Sequence, residues 1–220
     1  MPQTDISCRG LFGCEGGLSR GIMEKCRYPW EVLNSLGKYV SELARMLLAE
    51  DGWVWLSEDV AVAKSAVIAP SAVIVGPAVI GAGTEIRPGA FIRGNVLVEE
   101  NCVIGNSTEL KNSVLMDGAK LPHFNYAGDS LIGRKAHMGA GAVASNYKLD
   151  GSPVCVGGFE TGRKKFGAVL GDGAEVGCHC VLNPGTVIGR NTAVYPCVSV
   201  RGVIPENVIV KSSKEVISKK

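Results

Sequence analysis

The stretch VAKSAV-IAPSAV-IVGPAV-IGAGTE-IRPGAF-IRGNVL-VEENCV-IGNSTE-LKNSVL-M, residues 62–116 written in hexads, decides the fold. Each hexad opens on a large apolar residue: Val62, Ile68, Ile74, Ile80, Ile86, Ile92, Val98, Ile104, Leu110 and then Met116. Four residues behind each stop stands a small or β-branched one: Ala66, Ala72, Ala78, Thr84, Ala90, Val96, Cys102, Thr108 and Val114. A period of six fits neither the roughly 3.6 residues of a helical turn nor the two-residue alternation of a lone strand. It marks a parallel β-helix of hexapeptide repeats, in which six residues make one short strand and a turn. The aliphatic residue points into the prism. So does the small one, near the corner where room is limited.

The beat returns at Ile132 and Met138, with Ser130, Ala136 and Ala142 in the small slots. It resumes fully at Leu170, Val176, Leu182, Ile188, Val194 and Val200, with Ala168, Ala174, Cys180, Thr186, Thr192 and Val198 as small partners. The blocks differ in register, which predicts interruptions near residues 117–131 and 145–168. Loops thrown out from a rigid scaffold commonly carry chemistry, so function is expected there. The chain then divides into an arm and amphipathic helix over 1–57, the coil with its two loop insertions over 58–210, and a basic tail over 211–220. After Pro29, the apolar residues Leu33, Leu36, Val40, Leu43 and Leu47 recur at 3-4-3-4 spacing, predicting a helix of about twenty residues that ends near Asp51-Gly52 and caps or flanks the coil. Residues 1–28, rich in Gly and Cys and without a period, read as an extended or partly disordered arm. Trp53 and Trp55 are expected to plug the end of the core.

A chain of 220 residues has room for one domain, or one domain with a small appendage, and for a substantial core. A net charge of +2 and no evident basic face argue against nucleic acid as a partner. No apolar run is long enough for a membrane span and no secretory leader pattern is present, so a soluble, cytoplasmic protein is expected. Cys102 and Cys180 fall in small inward slots, where packing is their expected task. Cys178 and Cys180 form a C-x-C with no second pair at zinc spacing, and Cys8, Cys14 and Cys26 give no metal pattern. Reduced thiols and no bound metal are expected.

One run is more specific. It reads Leu121-Pro122-His123-Phe124-Asn125-Tyr126-Ala127-Gly128-Asp129-Ser130, followed by Gly139-Ala140-Gly141 and Asn146-Tyr147-Lys148. Glu109-Leu110-Lys111 precedes it, and Gly162-Arg163-Lys164-Lys165-Phe166-Gly167 follows. These motifs resemble the acetyltransferase domain of bifunctional bacterial N-acetylglucosamine-1-phosphate uridylyltransferases and of archaeal sugar-1-phosphate relatives, over roughly residues 60–210. The resemblance implies an all-β, left-handed parallel β-helix with an N-terminal α-helix, assembled as a homotrimer with sites between subunits. The left hand rests on the resemblance alone, because it opposes the usual right-handed crossover. The implied reaction is acetylation, with acetyl-CoA as co-substrate, of the amino group of an amino-sugar phosphate or nucleotide sugar.

Carried over by position, His123 would be the general base, a task suited to imidazole because it titrates near working pH. Asn146 would position the amine or help stabilise the developing oxyanion. Tyr126 would contact the sugar, and Lys111 and Lys165 would hold the phosphate. Either Arg93, aligned on Lys111, or Arg87, which opens an Arg-Pro-Gly motif, would join them. Gly139, Ala140 and Gly141 would let CoA approach the backbone closely. Arg163 and Lys164, beside Lys165, bring three cations to the second interruption, suited to phosphate or CoA. Two departures stand out. His137 occupies the place of a sugar-contacting Asn, and residues 1–57 hold neither a nucleotidyltransferase domain nor its Gly-rich phosphate loop, so no pyrophosphorylase activity is expected. A non-catalytic module of the same fold that binds a sugar nucleotide is the second reading. A γ-carbonic-anhydrase-like zinc hydratase is the third, but His123, His137 and His179 lack that family's spacing.

Overall fold

The structure is a computed structural model that describes residues 4–13 and 16–219. The hexads wind into a left-handed parallel β-helix with three faces. A first face of nine strands runs from the edge strand Trp53–Ser57 through Val60–Ala63 to Val203–Ile204, a second of seven from Val73–Val75 to Ser199–Val200, and a third of nine from Val67–Ile68 to Glu215–Ser218. Pairing along the coil is parallel, each rung hydrogen-bonding the next, as in Ala78↔Val96 and Val96↔Ser113. The inward aliphatics from Val62 to Val210 form one continuous core. Small-slot threonines are fully buried there, and each hydroxyl is satisfied by a carbonyl on the next turn: Thr84 donates to Glu99 O (2.8 Å) and Thr108 to Leu121 O (3.1 Å). Cys102 and Cys180 fill the same slots, and burial pushes the Cys102 thiol up to about 12.

The six-residue step fails at its last predicted stop. Leu115, not Met116, enters the prism, and Met116 packs outside it beside Phe12 and Met23 of the arm. The inward step shortens to five between Leu110 and Leu115 and again between Ala127 and Ile132, both at the corner between the second and first faces. Asn112 (φ 47°) and Asp129 (φ 50°) make those tighter turns. Residues 117–131 are therefore not an extruded loop. They stay in the coil as the strands Lys120–His123 and Tyr126–Gly128. The chain leaves the coil after Ala144 and regains it at Ala168, and this excursion carries a small antiparallel pair, Cys155–Val156 with Phe159–Glu160.

Helix Pro29–Leu47 lies flat on the first face and does not close an end. Trp30, Val32, Leu33, Leu36, Val40, Ala44 and Leu47 pack on the outward side chains Ala61, Val79, Leu97, Val114 and Leu131. Its first turn is satisfied by Glu31, whose carboxylate accepts from the Arg27 and Tyr28 N–H groups (2.8 and 3.0 Å). Trp53 and Trp55 do not plug the core. They lie on an antiparallel edge strand, with Trp55 52% exposed. The tail also differs from expectation, because Val208–Ser212 turns back into Glu215–Ser218 and closes the third face. Among the described residues no helix is long and apolar enough to cross a membrane.

The arm is irregular but packed, with short helices at Cys8–Leu11 and Arg20–Met23 and with Ile6, Leu11, Phe12, Ile22 and Met23 buried. Cys14 lies outside the described residues. Two carboxylates pin the arm to the coil. Asp172 accepts from Gly13 N (2.7 Å), and the fully buried Glu99 accepts from Ser19 N (2.7 Å) and Asp117 N (3.1 Å). Burial pushes Glu99 above the ordinary carboxylate range, with help from the nearby Asp117 charge and against the pull of its N–H bonds. The folded chain thus holds a proton that the unfolded chain has lost, and stability falls as pH rises from the ordinary carboxylate range through the raised value. Thermal melts from about pH 4 to about pH 8 should show a smaller loss of stability with rising pH in Glu99→Gln than in the wild type. Equal slopes would refute this account of Glu99.

Candidate active site

The second face and its two corners collect most of the motif residues. Tyr126 stands beside Glu109, which stands beside Phe91, and Lys111 stands beside Gly128 on neighbouring rungs. Ile92 faces Leu110, which puts Arg93 on the rung next to Lys111. Arg93 Nη1 donates to Glu109 Oε1 (2.6 Å). Arg87 is elsewhere. It follows the third-face strand Glu85–Ile86 and bonds Glu85 (3.0 Å). Geometry therefore separates the two arginines, and Arg93 is the one that shares the Lys111 edge.

At that edge the chemistry converges on Asp129, a carboxylate only 4% exposed. Asn112 Nδ2 donates to its Oδ1 (2.7 Å), Asn146 Nδ2 to its Oδ2 (2.7 Å), and Arg163 Nη2 lies 3.5 Å from Oδ1. Asn146 Nδ2 also donates to the Tyr126 hydroxyl (3.2 Å). An ionised carboxylate only accepts, so this contact fixes which way the Asn146 amide points. Both amide hydrogens are spent on Asp129 and Tyr126. Asn146 presents Oδ1, an acceptor, and an acceptor cannot stabilise an oxyanion. Tyr126 receives the amide bond and keeps its own O–H for another partner. Burial, with the Glu109 and Asp129 carboxylates, holds that phenol above its ordinary value and protonated. Gly128 leaves room for this meeting, because an added Cβ would lie 2.4 Å from the Tyr126 oxygen and 2.7 Å from Asn146 Nδ2.

His123 occupies the other edge of this face, exposed at the corner where the third face turns into the second. Among the described residues its ring has no hydrogen-bond partner, whereas its backbone is held twice. His123 N–H donates to Asn125 Oδ1 (3.1 Å), and His123 O accepts from Gly141 N (3.0 Å). Asn125 is buried and donates onward to Gly139 O (2.7 Å) and Ala142 O (3.2 Å). The Gly139-Ala140-Gly141 run is thereby stacked directly on the His123 corner. Gly141 has φ 71°, and a Cβ there would meet the His179 ring at 2.6 Å, so the position needs glycine.

Other candidates fall apart from this cluster. His137 faces outward on the third face, with Nδ1 2.9 Å from Glu175. Lys164 and Lys165 are exposed where the excursion returns, and Lys165 is bridged to Tyr147. Arg163 departs from the expected CoA role. Its guanidinium is committed to Asn34 of the long helix (2.6 Å), Asp129 and the Lys165 carbonyl (3.1 Å).

The family model described as the GMPPB C-terminal domain matches residues 74–159. Bifunctional GlmU proteins from two strains of Methanococcus maripaludis are 40% and 33% identical over 205 and 206 residues, each match covering 91% of this chain and 50% of the relative. A bifunctional sugar-1-phosphate nucleotidylyltransferase/acetyltransferase from Sulfurisphaera tokodaii is 37% identical over 94 residues, 41% of this chain and 23% of the relative. Over 91% of its length the chain is similar to one half of the bifunctional GlmU proteins. It spans half the length, or less, of these curated relatives.

Asp129 and Asn125 lie within the His123–Ser130 motif, where neither has an expected role. Asn125 had a usable signal, since an amide stands where the repeat places Ala90, Thr108 and Ala142. Asp129 had none, because its burial comes from the corner it shares with Asn112, Asn146 and Arg163, which only the fold brings together.

Proposed function

We propose that the protein transfers an acetyl group from acetyl-CoA to the amino nitrogen of an amino-sugar phosphate or nucleotide-linked amino sugar. The observation that carries this reading is the Asp129-fixed Asn146 beside a protonated Tyr126, on the face bounded by His123 and by the Arg93–Lys111 pair. Asn146 Oδ1 accepts an N–H of the acceptor amine and aims its lone pair. His123 takes the proton that nitrogen loses as it bonds to the thioester carbonyl carbon. The tetrahedral centre then collapses, the C–S bond breaks, and the proton passes to the leaving sulfur. Tyr126 O–H donates to the sugar or to the carbonyl oxygen as charge grows there. Lys111 and Arg93 hold the acceptor phosphate, and Gly139 to Gly141 give the thioester arm a surface without side chains.

His123 and Asn146 stand at opposite edges of one face, so a neighbouring copy completes the cleft. Val73, Val75, Phe91 and Val181 leave that face apolar and exposed, which supports subunit packing there and a trimer. Thiol release from acetyl-CoA, followed with a panel of hexosamine phosphates and nucleotide-linked amino sugars, tests the reading. One acceptor should give saturable turnover. Protein inert with the whole panel, yet stabilised against heat by a nucleotide sugar, would instead identify a binding module.

A further inference from the structure

We propose that a second anion site, formed by Lys120, Lys135 and His137 on the third face, holds a diphosphate. A groove of about 630 Å³ opens there, lined by Asn101, Gly118, Lys120, Lys135, His137 and Glu175. Lys120 and His137 stand opposite each other on adjacent rungs, and Glu175 follows His137 on the next. Both lysines are exposed, and among the described residues neither has a carboxylate within ion-pair distance. His137 Nδ1 is engaged by Glu175 at 2.9 Å, which fixes the ring and leaves Nε2 as its open atom. Glu175 is the one acid of the groove, and it is held at the rim by that bond.

The backbone adds an independent observation. The corner beneath the groove repeats a left-handed residue on successive rungs, and six of these are Gly83, Asn101, Gly118, Gly173, Asn191 and Asn207. Glycine and asparagine reach that conformation at least cost. The remaining rung carries Lys135, at φ 55°. A long cation thus stands at a position that its neighbours on this corner leave to Gly or Asn, in a backbone conformation that costs lysine more than glycine. Lys120 is paired with His137 and Lys135 stands two residues before it, so the two stems rise diagonally from neighbouring rungs, roughly 7–8 Å apart, and their long side chains can close on two linked phosphates. Lys120 is three residues before His123 in one strand, so the groove lies roughly 10 Å from the proposed base. A diphosphate at that distance belongs either to a nucleotide-linked acceptor or to CoA. Naming those two sources rests on the acetyl-transfer reading, whereas the anion site does not.

Calorimetric titration with inorganic pyrophosphate at low salt tests the site directly. The Lys120→Gln/Lys135→Gln variant should bind at least about tenfold more weakly than Lys25→Gln/Lys38→Gln, which removes the same net charge from exposed positions elsewhere. Lys135→Gly should lose affinity while its melting temperature rises, because glycine relieves the left-handed backbone. Equal pyrophosphate affinity in the two double variants overturns the proposal. In the transfer assay, a raised KM for the acceptor alone assigns the diphosphate to a nucleotide sugar, and a raised KM for acetyl-CoA alone assigns it to the coenzyme. Wild-type protein that binds pyrophosphate through these lysines yet transfers no acetyl group would keep the site and refute the transferase reading.

Discussion

His123→Ala is expected to lower kcat for acetyl transfer about 10²- to 10⁴-fold, the range general-base catalysis usually contributes. The melting temperature should stay within roughly two degrees of wild type, as for a surface substitution. The structure makes this an unusually clean probe. The imidazole is exposed and has no hydrogen-bond partner among the described residues, while the structural bonds of the corner run through the His123 N–H and carbonyl, which alanine keeps. Asn125 still ties the corner to Gly139 and Ala142. Steady-state thiol release, with KM and kcat resolved for the acceptor, is the measurement. A loss confined to KM would make His123 a binding residue, and an unchanged kcat would remove the base from the mechanism.

What the sequence could reveal of this fold followed from its period. Ile80, Ile92 and Ile104 are fully or nearly fully buried because every sixth residue must face one axis, and no tertiary detail alters that. The same logic found the helix, whose stripe needs only a flat apolar face to lie on. The misreading near residues 117–131 has a physical cause. A coil absorbs a one-residue deletion at a corner when the turn residue accepts a left-handed backbone, as Asn112 and Asp129 do, so the lost beat looked like a lost strand. At the site, the motif named Tyr126 and Asn146, but hydrogen-bond direction is not written in a motif. Only the placement of Asp129 beside the Asn146 amide decides between donor and acceptor. Likewise, nothing local to Arg163 foretold that a helix more than a hundred residues earlier would supply Asn34 to hold it.

The second large effect is expected at Asp129, which touches no substrate in the proposed mechanism. Asp129→Asn keeps the size and shape of the side chain but replaces one acceptor oxygen with a donor. The buried position is approached by the amides of Asn112 and Asn146 and by the Arg163 guanidinium, so one donor must then face another. The least costly relief is a flip of Asn146, which turns its Nδ2 toward the acceptor amine and removes the lone pair that aimed it. Leaving one buried polar group unsatisfied costs about 1–3 kcal/mol, so kcat/KM should fall roughly 5- to 150-fold. Some stability is lost as well, and stability alone does not identify a positioning residue. The discriminating measurement is the cycle with Asn146→Ala. If Asp129 acts through the Asn146 amide, the double variant should be little worse in kcat/KM than Asn146→Ala alone, because the group being oriented is already gone. Fully additive losses would mean that Asp129 serves the fold and leaves the Asn146 amide free to choose its own direction.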